Sequence, residues 1–341
     1  MDIQTVEHID PQAWDRYVLA HPHSSFFHRP TWARAVQQAY GHAPVHLAAA
    51  DAGRLVGILP LMRVQSPLAG RALVSLPYAT YGGILADDSD ISRALLTAAQ
   101  QLARDQRADY IELRHRLPSG LDLPEFGRYD TFRRELPEQS EDVLAWLPKK
   151  ARAEARKAAA TLTAETGPHL LETVYALYAR TLRRLGSPNY RLELFRRLRD
   201  AYGDDCLCLL IRRDVEPLAG VVSFIFRDEI TPYFSGSTDA GRHLSASNLM
   251  YLRLMEHAVR RGLRWFDFNR TRRDNAGPHD FKRHHGFQPT PLHYQVSLAR
   301  SQHRPEMSPS SRRFAAARQL WRRLPLWVTR PAGAYVTKWI P

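Results

Sequence analysis

The order of apolar segments in the chain occurs twice. Residues 45–64, VHLAAADAGRLVGILPLMRV, form two apolar runs joined by Asp51-Ala52-Gly53-Arg54, a hairpin pattern. ALVSLPYATYGGIL (72–85) then reads as a strand entering a glycine-rich turn, 89–106 as a helix, and ADYIELRH (108–115) as a strand. Further on, 170–202 is helical with a break at Gly186-Ser187-Pro188, and a three-strand meander runs from CLLIRR to PYFSGS. The loop TDAGRHLSAS follows, then a helix over 247–262 with Leu249, Leu252, Met255 and Val259 on its apolar stripe. LRWFDFNR (263–270) closes the series as a strand. Spacing repeats as well as order: Leu47-x3-Asp51-x3-Leu55-x-Gly57 matches Leu210-x3-Asp214-x3-Leu218-x-Gly220. Each half ends in an apolar strand carrying one acid, Glu112 and Asp267. Such a match implies an internal duplication. It predicts an α/β (α+β) fold of two tandem domains, 1–147 and 148–300, followed by a basic, aromatic tail over 301–341. Each domain is expected to be a mixed, mainly antiparallel sheet flanked by helices.

Composition limits what such a chain does. With 48 Lys and Arg against 35 Asp and Glu, the net charge is +13, which concentrates anions near the surface: nucleic acid, phospholipid or phosphorylated substrates. Cys206 and Cys208 stand two apart in a strand, too close in extended chain for an ordinary disulfide, and no paired metal spacing exists. A reducing, cytoplasmic compartment is expected. The start, Met1-Asp2-Ile3-Gln4, carries no secretory pattern, and no apolar run approaches the roughly 20 residues of a spanning helix.

Several stretches carry a family resemblance. SSFFHRPTW (24–32) resembles the "pFFHxxxW" opening of FemAB-related proteins, and LPKKARAEARKA (147–158) their basic helix "LPKKxRxxxRKA". SNLMYLRLMEHAVRRGLRWFDFNR (247–270) resembles "aNxxxYwxlmxxAxxxGxxxFDFGR", and DFKRHHGFQPTPLHY (280–294) resembles "DFKkhwGFxPxPLhY". The element order is similar to the GNAT acyltransferase fold, and two copies in tandem to the FemABX aminoacyl transferases. The nearest branch accompanies PEP-CTERM/exosortase and exopolysaccharide systems. The resemblance covers about residues 24–325. It implies two GNAT-like domains and transfer of an activated acyl or aminoacyl group onto an amine of an envelope or exopolysaccharide precursor. The donor stays open among aminoacyl-tRNA, acyl-CoA and an acyl carrier, and neither a bound cofactor nor a metal is expected. A catalytically idle adaptor binding RNA or lipid is the competing expectation.

The resemblance places Lys282 at the reaction centre, where a fixed cation stabilises the oxyanion of aminolysis. The residues alone also allow a solvated lysine on a strand edge. On a strand His284 would share its side and His285 would face away and pack. Asp267 is expected to orient or deprotonate the acceptor amine, or to form an ion pair with the 270–273 run; Glu112 is expected to pair structurally, with Arg114 on the same face. Arg270, Arg272 and Arg273 would hold a diphosphate or carboxylate. Asn269 stands where the family has glycine, and 275–279 replaces its glycine-rich loop. Asn248, Tyr251, Tyr233, Tyr81, Gly82, Gly83, Arg114 and His284 complete the expected substrate walls. Lys149, Lys150, Arg152, Arg156 and Lys157 form either an anion-binding face or a solvated one. Arg242 to Ser247 occupies the place of a pyrophosphate loop but has serines instead of glycines, which argues against ordinary acetyl-CoA binding. The tail from Ser308, with Trp321, Trp327, Tyr335 and Trp339 among arginines, suits an interfacial helix at the inner membrane face, or a helix packed on its own domain.

Overall fold

The structure, a computed structural model, describes residues 1–67, 69–300 and 314–340. Two compact units divide the chain: Met1–Gly127 with Pro291–Ser311 and Val336–Pro341, and Arg128–Thr290 with Arg312–Tyr335.

In the first unit the helices α1 (Pro11–Ala20), α2 (Pro30–Tyr40) and α3 (Ser89–Asp105) accompany two sheets. One sheet holds β1 (Asp2–Thr5), β2 (Leu47–Asp51), β3 (Arg54–Leu59) and the short Leu85–Ala86 strand. The other runs from the distant β15 (His293–Leu298) through β6 (Tyr110–His115), β5 (Gly70–Val74) and β4 (Met62–Ser66) to Ala43–Pro44. Pro60, lacking an N–H, stands where β3 gives way to β4. On α2 the expected spacing holds: Trp32, Val36 and Tyr40 are buried, and Gly41 closes the helix at φ 75°.

The second unit contains β7 (Tyr129–Thr131), β8 (Arg133–Glu135), β9 (Thr163–Thr166), β10 (Cys206–Arg213), β11 (Glu216–Phe226), β12 (Glu229–Ser237), β13 (Trp265–Asp267) and β14 (Thr271–Arg272). Its helices are α4 (Lys149–Ala159), α5 (Leu171–Leu185), α6 (Leu192–Tyr202), α7 (Ala246–Arg260), α8 (Ala276–His284), α9 (Ala315–Arg323) and α10 (Leu326–Val336). Six strands form one sheet in the order β8-β13-β12-β11-β10-β9, antiparallel except between β12 and β13. Leu249, Met255 and Ala258 of α7 join Ala151 and Ala155 of α4 and Ile211, Ala219 and Val221 of the sheet in one core.

The expected boundary after residue 147 is displaced. Strand β8 pairs Arg133 with Asp267 and Glu135 with Trp265, so the chain from Arg128 onward belongs to the second unit. Conversely, β15 pairs His293 with His115 and Leu298 with Tyr110, returning Pro291 onward to the first. The tail is not a separate module either: Arg312–Tyr335 joins the second unit and Val336–Pro341 the first, with 301–313 and Pro341 outside the described residues.

The duplication survives in architecture, but its sequence register is out by one residue. The β2–β3 ladder pairs Ala49 with Gly57 and shifts register between Ala49 and Ala50. The β10–β11 ladder pairs Ile211 with Ala219 and shifts between Ile211 and Arg212. Irregularity on irregularity therefore aligns Ala49 with Ile211, and Gly57 with Ala219 rather than Gly220. Packing agrees. A Cβ at Gly57 would meet Ile91 of α3 at 2.6 Å, whereas one at Gly220 would meet Val174 of α5 at 2.9 Å. Ala219 shares its core with α7, the counterpart of α3. A slip of one residue exchanges the faces of a strand, so the glycine coincidence joined opposite faces.

Candidate active site

The parallel pair β12–β13 is registered at only two positions, Glu229↔Trp265 and Ile230↔Phe266. Beyond Ile230 the pairing ends, which leaves a wedge at the C-terminal ends of two parallel strands. On the β12 wall, Phe234 faces Val222 and Pro232 faces Ser223 across the β11 ladder, so Tyr233 is the extra, unregistered residue of a β-bulge. The wedge is spanned by Tyr251 of α7. Its hydroxyl donates to Ser235 Oγ on β12 at 3.3 Å, and its ring lies edge-on to Phe268 beyond β13, centroids 4.8 Å apart. Burial pushes the Tyr251 phenol up and keeps it protonated. Tyr233, Ser235, Asn248, Tyr251 and Arg270 are all half-buried.

In the first unit the corresponding wedge is closed by its own chain. Strands β5 and β6 pair from Ala72↔Tyr110 to Val74↔Glu112. The following loop then continues the ladder: Ser75 N donates to Glu112 O at 2.8 Å, and Gly82 N and Gly83 N donate to Arg114 O at 3.0 Å. Arg114 fastens it from below. Its guanidinium donates to Glu112 at 2.9 Å and to the carbonyls of Leu76 and Ala79 at 3.1 and 3.0 Å, with the whole residue 2% exposed. Tyr81, Gly82, Gly83 and Arg114, expected as substrate walls, are buried parts of this plug, Gly83 and Arg114 also lining a cavity with His28 and His115, and Glu112 has the structural pairing expected of it.

DFKRHH is a helix, not a strand. Residues 276–284 form α8, so Lys282 and His285 share a side one turn apart while His284 is exposed. The alternation argument that set His284 beside Lys282 therefore fails. His285 is buried, its ring 4.3 Å from Phe281 and its Nδ1 2.8 Å from Phe281 O; burial brings it down to about 4.

Lys282 is equally enclosed. Its Nζ donates to the carbonyls of Phe268 at 2.8 Å, Asn269 at 2.7 Å and Arg270 at 3.4 Å, and lies 5.0 Å from the centre of the Phe132 ring. Burial pushes its pKa down to about 7, against the pull of Asp267. Three acceptors use all three donors of an ammonium group, so in this geometry Lys282 has none left for an oxyanion. It pins the turn that leaves β13. Asn269 in that turn has φ 66°, the left-handed region natural to the glycine it replaces and open to asparagine. Asp267 is fully buried and accepts from Thr131 Oγ1 at 3.1 Å and Asn269 N at 2.8 Å. It braces the same turn.

The arginine run is also largely engaged. Arg272 forks onto Asp274 at 2.9 and 2.6 Å, Arg273 donates to Asp130 at 2.8 Å, and Arg270 stacks on Tyr129, 4.8 Å from the ring centre. Asp130 and Thr131 of β7 escaped the sequence reading because that strand is three residues long, with no apolar period to mark it.

Helix α4 behaves differently. Ala151, Ala155 and Ala158 are buried, and Lys149, Lys150, Arg156 and Lys157 are exposed on the opposite side. Residues seven apart stack along a helix about 10 Å apart, so the four cations form two parallel rows. Arg152 lies to the side, donating to Ala145 O at 3.3 Å. The single acid, Glu154, accepts from Ser245 Oγ beside the first turn of α7. Ser245, at φ 55°, thus sets a carboxylate where a pyrophosphate loop would hold its anion. The preceding TDAGRH segment is a short helix, Asp239–His243, rather than an open loop.

Among the described residues no group of three or more His, Cys, Asp or Glu is arranged to hold a metal ion, and no helix is long and apolar enough to cross a membrane. Cys206 and Cys208 are buried and free.

Comparison with known proteins gives the class. Residues 147–283 match the acetyltransferase (GNAT) domain family. The crystal structure of FemX superposes with a TM-score of 0.69 at 15% identity, covering 88% of this chain and 98% of that one. A tandem GNAT protein from the clavulanic acid biosynthesis pathway gives 0.55 at 15% identity over 87% and 98% of the two chains. The C-terminal domain of a putative lysylphosphatidylglycerol synthetase from Agrobacterium fabrum gives 0.56 at 14% over 84% and 91%. No curated protein matches by sequence. The chain has a tandem GNAT fold, the second copy bearing the acetyltransferase signature.

Proposed function

We propose that the second unit is an N-acyltransferase or aminoacyltransferase that works at the β12–β13 wedge. The observation that carries this reading is the contrast between the two wedges: one plugged by main chain of residues 75–83, the other spanned by the Tyr251 side chain. The acceptor's uncharged amine adds to the acyl carbonyl carbon, forming the C–N bond and an oxyanion. Collapse expels the thiolate or alkoxide of the donor, which is protonated by Tyr251, itself kept neutral by burial, and the proton lost by the amine passes through solvent to restore that phenol. Lys282 and Asp267 act as positioning residues for the 268–270 turn. The rows on α4 hold phosphates of the donor or acceptor.

The acceptor is assigned to the class of envelope or exopolysaccharide precursors on the strength of the DFKRHHGFQPTPLHY resemblance, which points to the PEP-CTERM/exosortase-associated branch. The Glu154–Ser245 contact favours a donor other than a diphosphate seated on α7, such as aminoacyl-tRNA or an acyl carrier. Engagement of Lys282, Asp267, Arg272 and Arg273 within the protein favours a second reading, an idle adaptor. Mass spectrometry of envelope precursors from parent, deletion and Tyr251→Phe strains separates them. A mass increment lost in both mutants, with the variant folded, supports transfer; an increment lost only on deletion leaves the adaptor.

A further inference from the structure

We infer that α10 is a docking ridge for an anionic bilayer surface. One side of this helix is seated in the second unit. Thr329 and Gly333 are buried, Asn189 Nδ2 donates to Arg330 O at 3.1 Å, and Arg191 Nε donates to Ala334 O at 3.1 Å. A Cβ at Gly333 would meet Asn189 N at 2.8 Å, so only glycine permits the seat. The seat determines what faces out. Trp327, Pro331 and Tyr335, four residues apart, line up on the solvent side, with Trp327 78% and Tyr335 60% exposed. Leu320, on the preceding helix α9, is 61% exposed. Trp321 and Trp339, grouped with them from sequence, are only half-buried and do not share this ridge.

The chemistry of the segment chooses the occupant. From Phe314 to Ile340 there is no Asp or Glu, whereas Arg318, Arg322, Arg323, Arg330 and Lys338 lie within it. Arg323 is exposed and lies between Leu320 and Trp327 in sequence. Tryptophan and tyrosine favour the boundary between headgroups and acyl chains, and basic residues nearby are drawn to anionic lipid. A second copy of the same ridge would set cations against cations with no acid between them. A bilayer carrying negative headgroups satisfies both the aromatic line and the charge. The contact is peripheral, since no described helix spans a membrane. It is independent of what, if anything, the second unit transfers.

The test is co-sedimentation of the full chain with phosphatidylcholine vesicles, with and without phosphatidylglycerol. The wild type should bind the phosphatidylglycerol vesicles and not pure phosphatidylcholine. Trp327→Ser with Tyr335→Ser should weaken that binding about tenfold or more, with thermal unfolding unchanged because both side chains are exposed. Failure of the wild type to bind overturns the inference. So does a double variant that binds as tightly as wild type, which would move the contact to the basic face of α4. A wild-type dimer that becomes monomeric in the double variant, seen by light scattering, would give the ridge to a second copy instead.

Discussion

Replacing Lys282 with methionine removes a buried cation while keeping a chain of similar length. The enclosure of its amine gives the consequence a size. Burial lowers its pKa from 10.5 to about 7. Between those values the unfolded chain binds a proton that the folded protein does not, so stability rises with pH across the window and the gain is lost as pH falls to 7. Between pH 7 and 9 the difference amounts to about 2 kcal/mol. With a urea dependence of ~2 kcal/mol per molar for a unit of this size, the midpoint should move by roughly 1 M. The assay is urea unfolding of wild type and Lys282→Met at pH 7 and pH 9, followed by tryptophan fluorescence. Subtracting the variant removes the contributions of other groups, including the thiols. Wild type should gain about 1 M relative to the variant. Midpoints that move in parallel would mean that Lys282 is ordinarily solvated, and the positioning role would fall with that result.

Acid should attack the first unit before the second. Burial lowers His28 to about 3 and His46 and His115 to about 4, so each costs stability as pH falls below 6.5, together about 6 kcal/mol by pH 5; hydrogen-exchange protection, corrected for the intrinsic rate at each pH, should be lower at pH 5 than at pH 7 in peptides from 1–127. Arg114→Met strands the Glu112 carboxylate in the plug and should destabilise the first unit by about 3–5 kcal/mol, read from denaturant unfolding. Asn269→Ala should cost about 1 kcal/mol through its left-handed φ, whereas Asn269→Gly should be close to neutral by thermal unfolding. Lys149, Lys150, Arg156 and Lys157, changed together to alanine, should flatten the salt dependence of binding to single-stranded RNA by about three units in log–log slope if the α4 rows hold phosphates.

Long periodic elements were legible in the sequence. The Trp32-Val36-Tyr40 stripe, the hairpins and the helix bearing Leu249 and Met255 all fold as their spacing requires, because many residues vote on each. Short elements were not. β7 and β8 are three residues apiece, and their pairing depends on partners over a hundred residues away. DFKRHH failed for another reason. Nine residues of α8 contain one buried side chain, and that one is a lysine, so no apolar stripe announced a helix. The charged residues stood out in the sequence as a set, yet their contacts were not visible. Whether Arg273 meets a substrate phosphate or Asp130 depends on a strand that composition does not reveal.

The two halves show how one architecture treats the same gap between parallel strands in two ways. Both present a pair of parallel strands that separate after two or three registered residues, and both must satisfy the polar edge thus exposed. The first unit does so with main chain: a loop rich in small residues enters the gap, and a buried arginine balances its carbonyls and the Glu112 charge. That solution fills the gap between the two strands, while Gly83 and Arg114 line a cavity beside it with His28 and His115. The second unit turns its strand aside instead. Asn269 bends the backbone, Asp267 takes its amide, and Lys282 collects the three carbonyls that the bend leaves over. The opening survives because these groups serve the turn rather than the gap. In the proposed scheme the chemistry of the wedge depends on the Ser235–Tyr251 pair that spans it. Loss of transfer in Tyr251→Phe with the Lys282-dependent pH slope intact would separate the site from its scaffold.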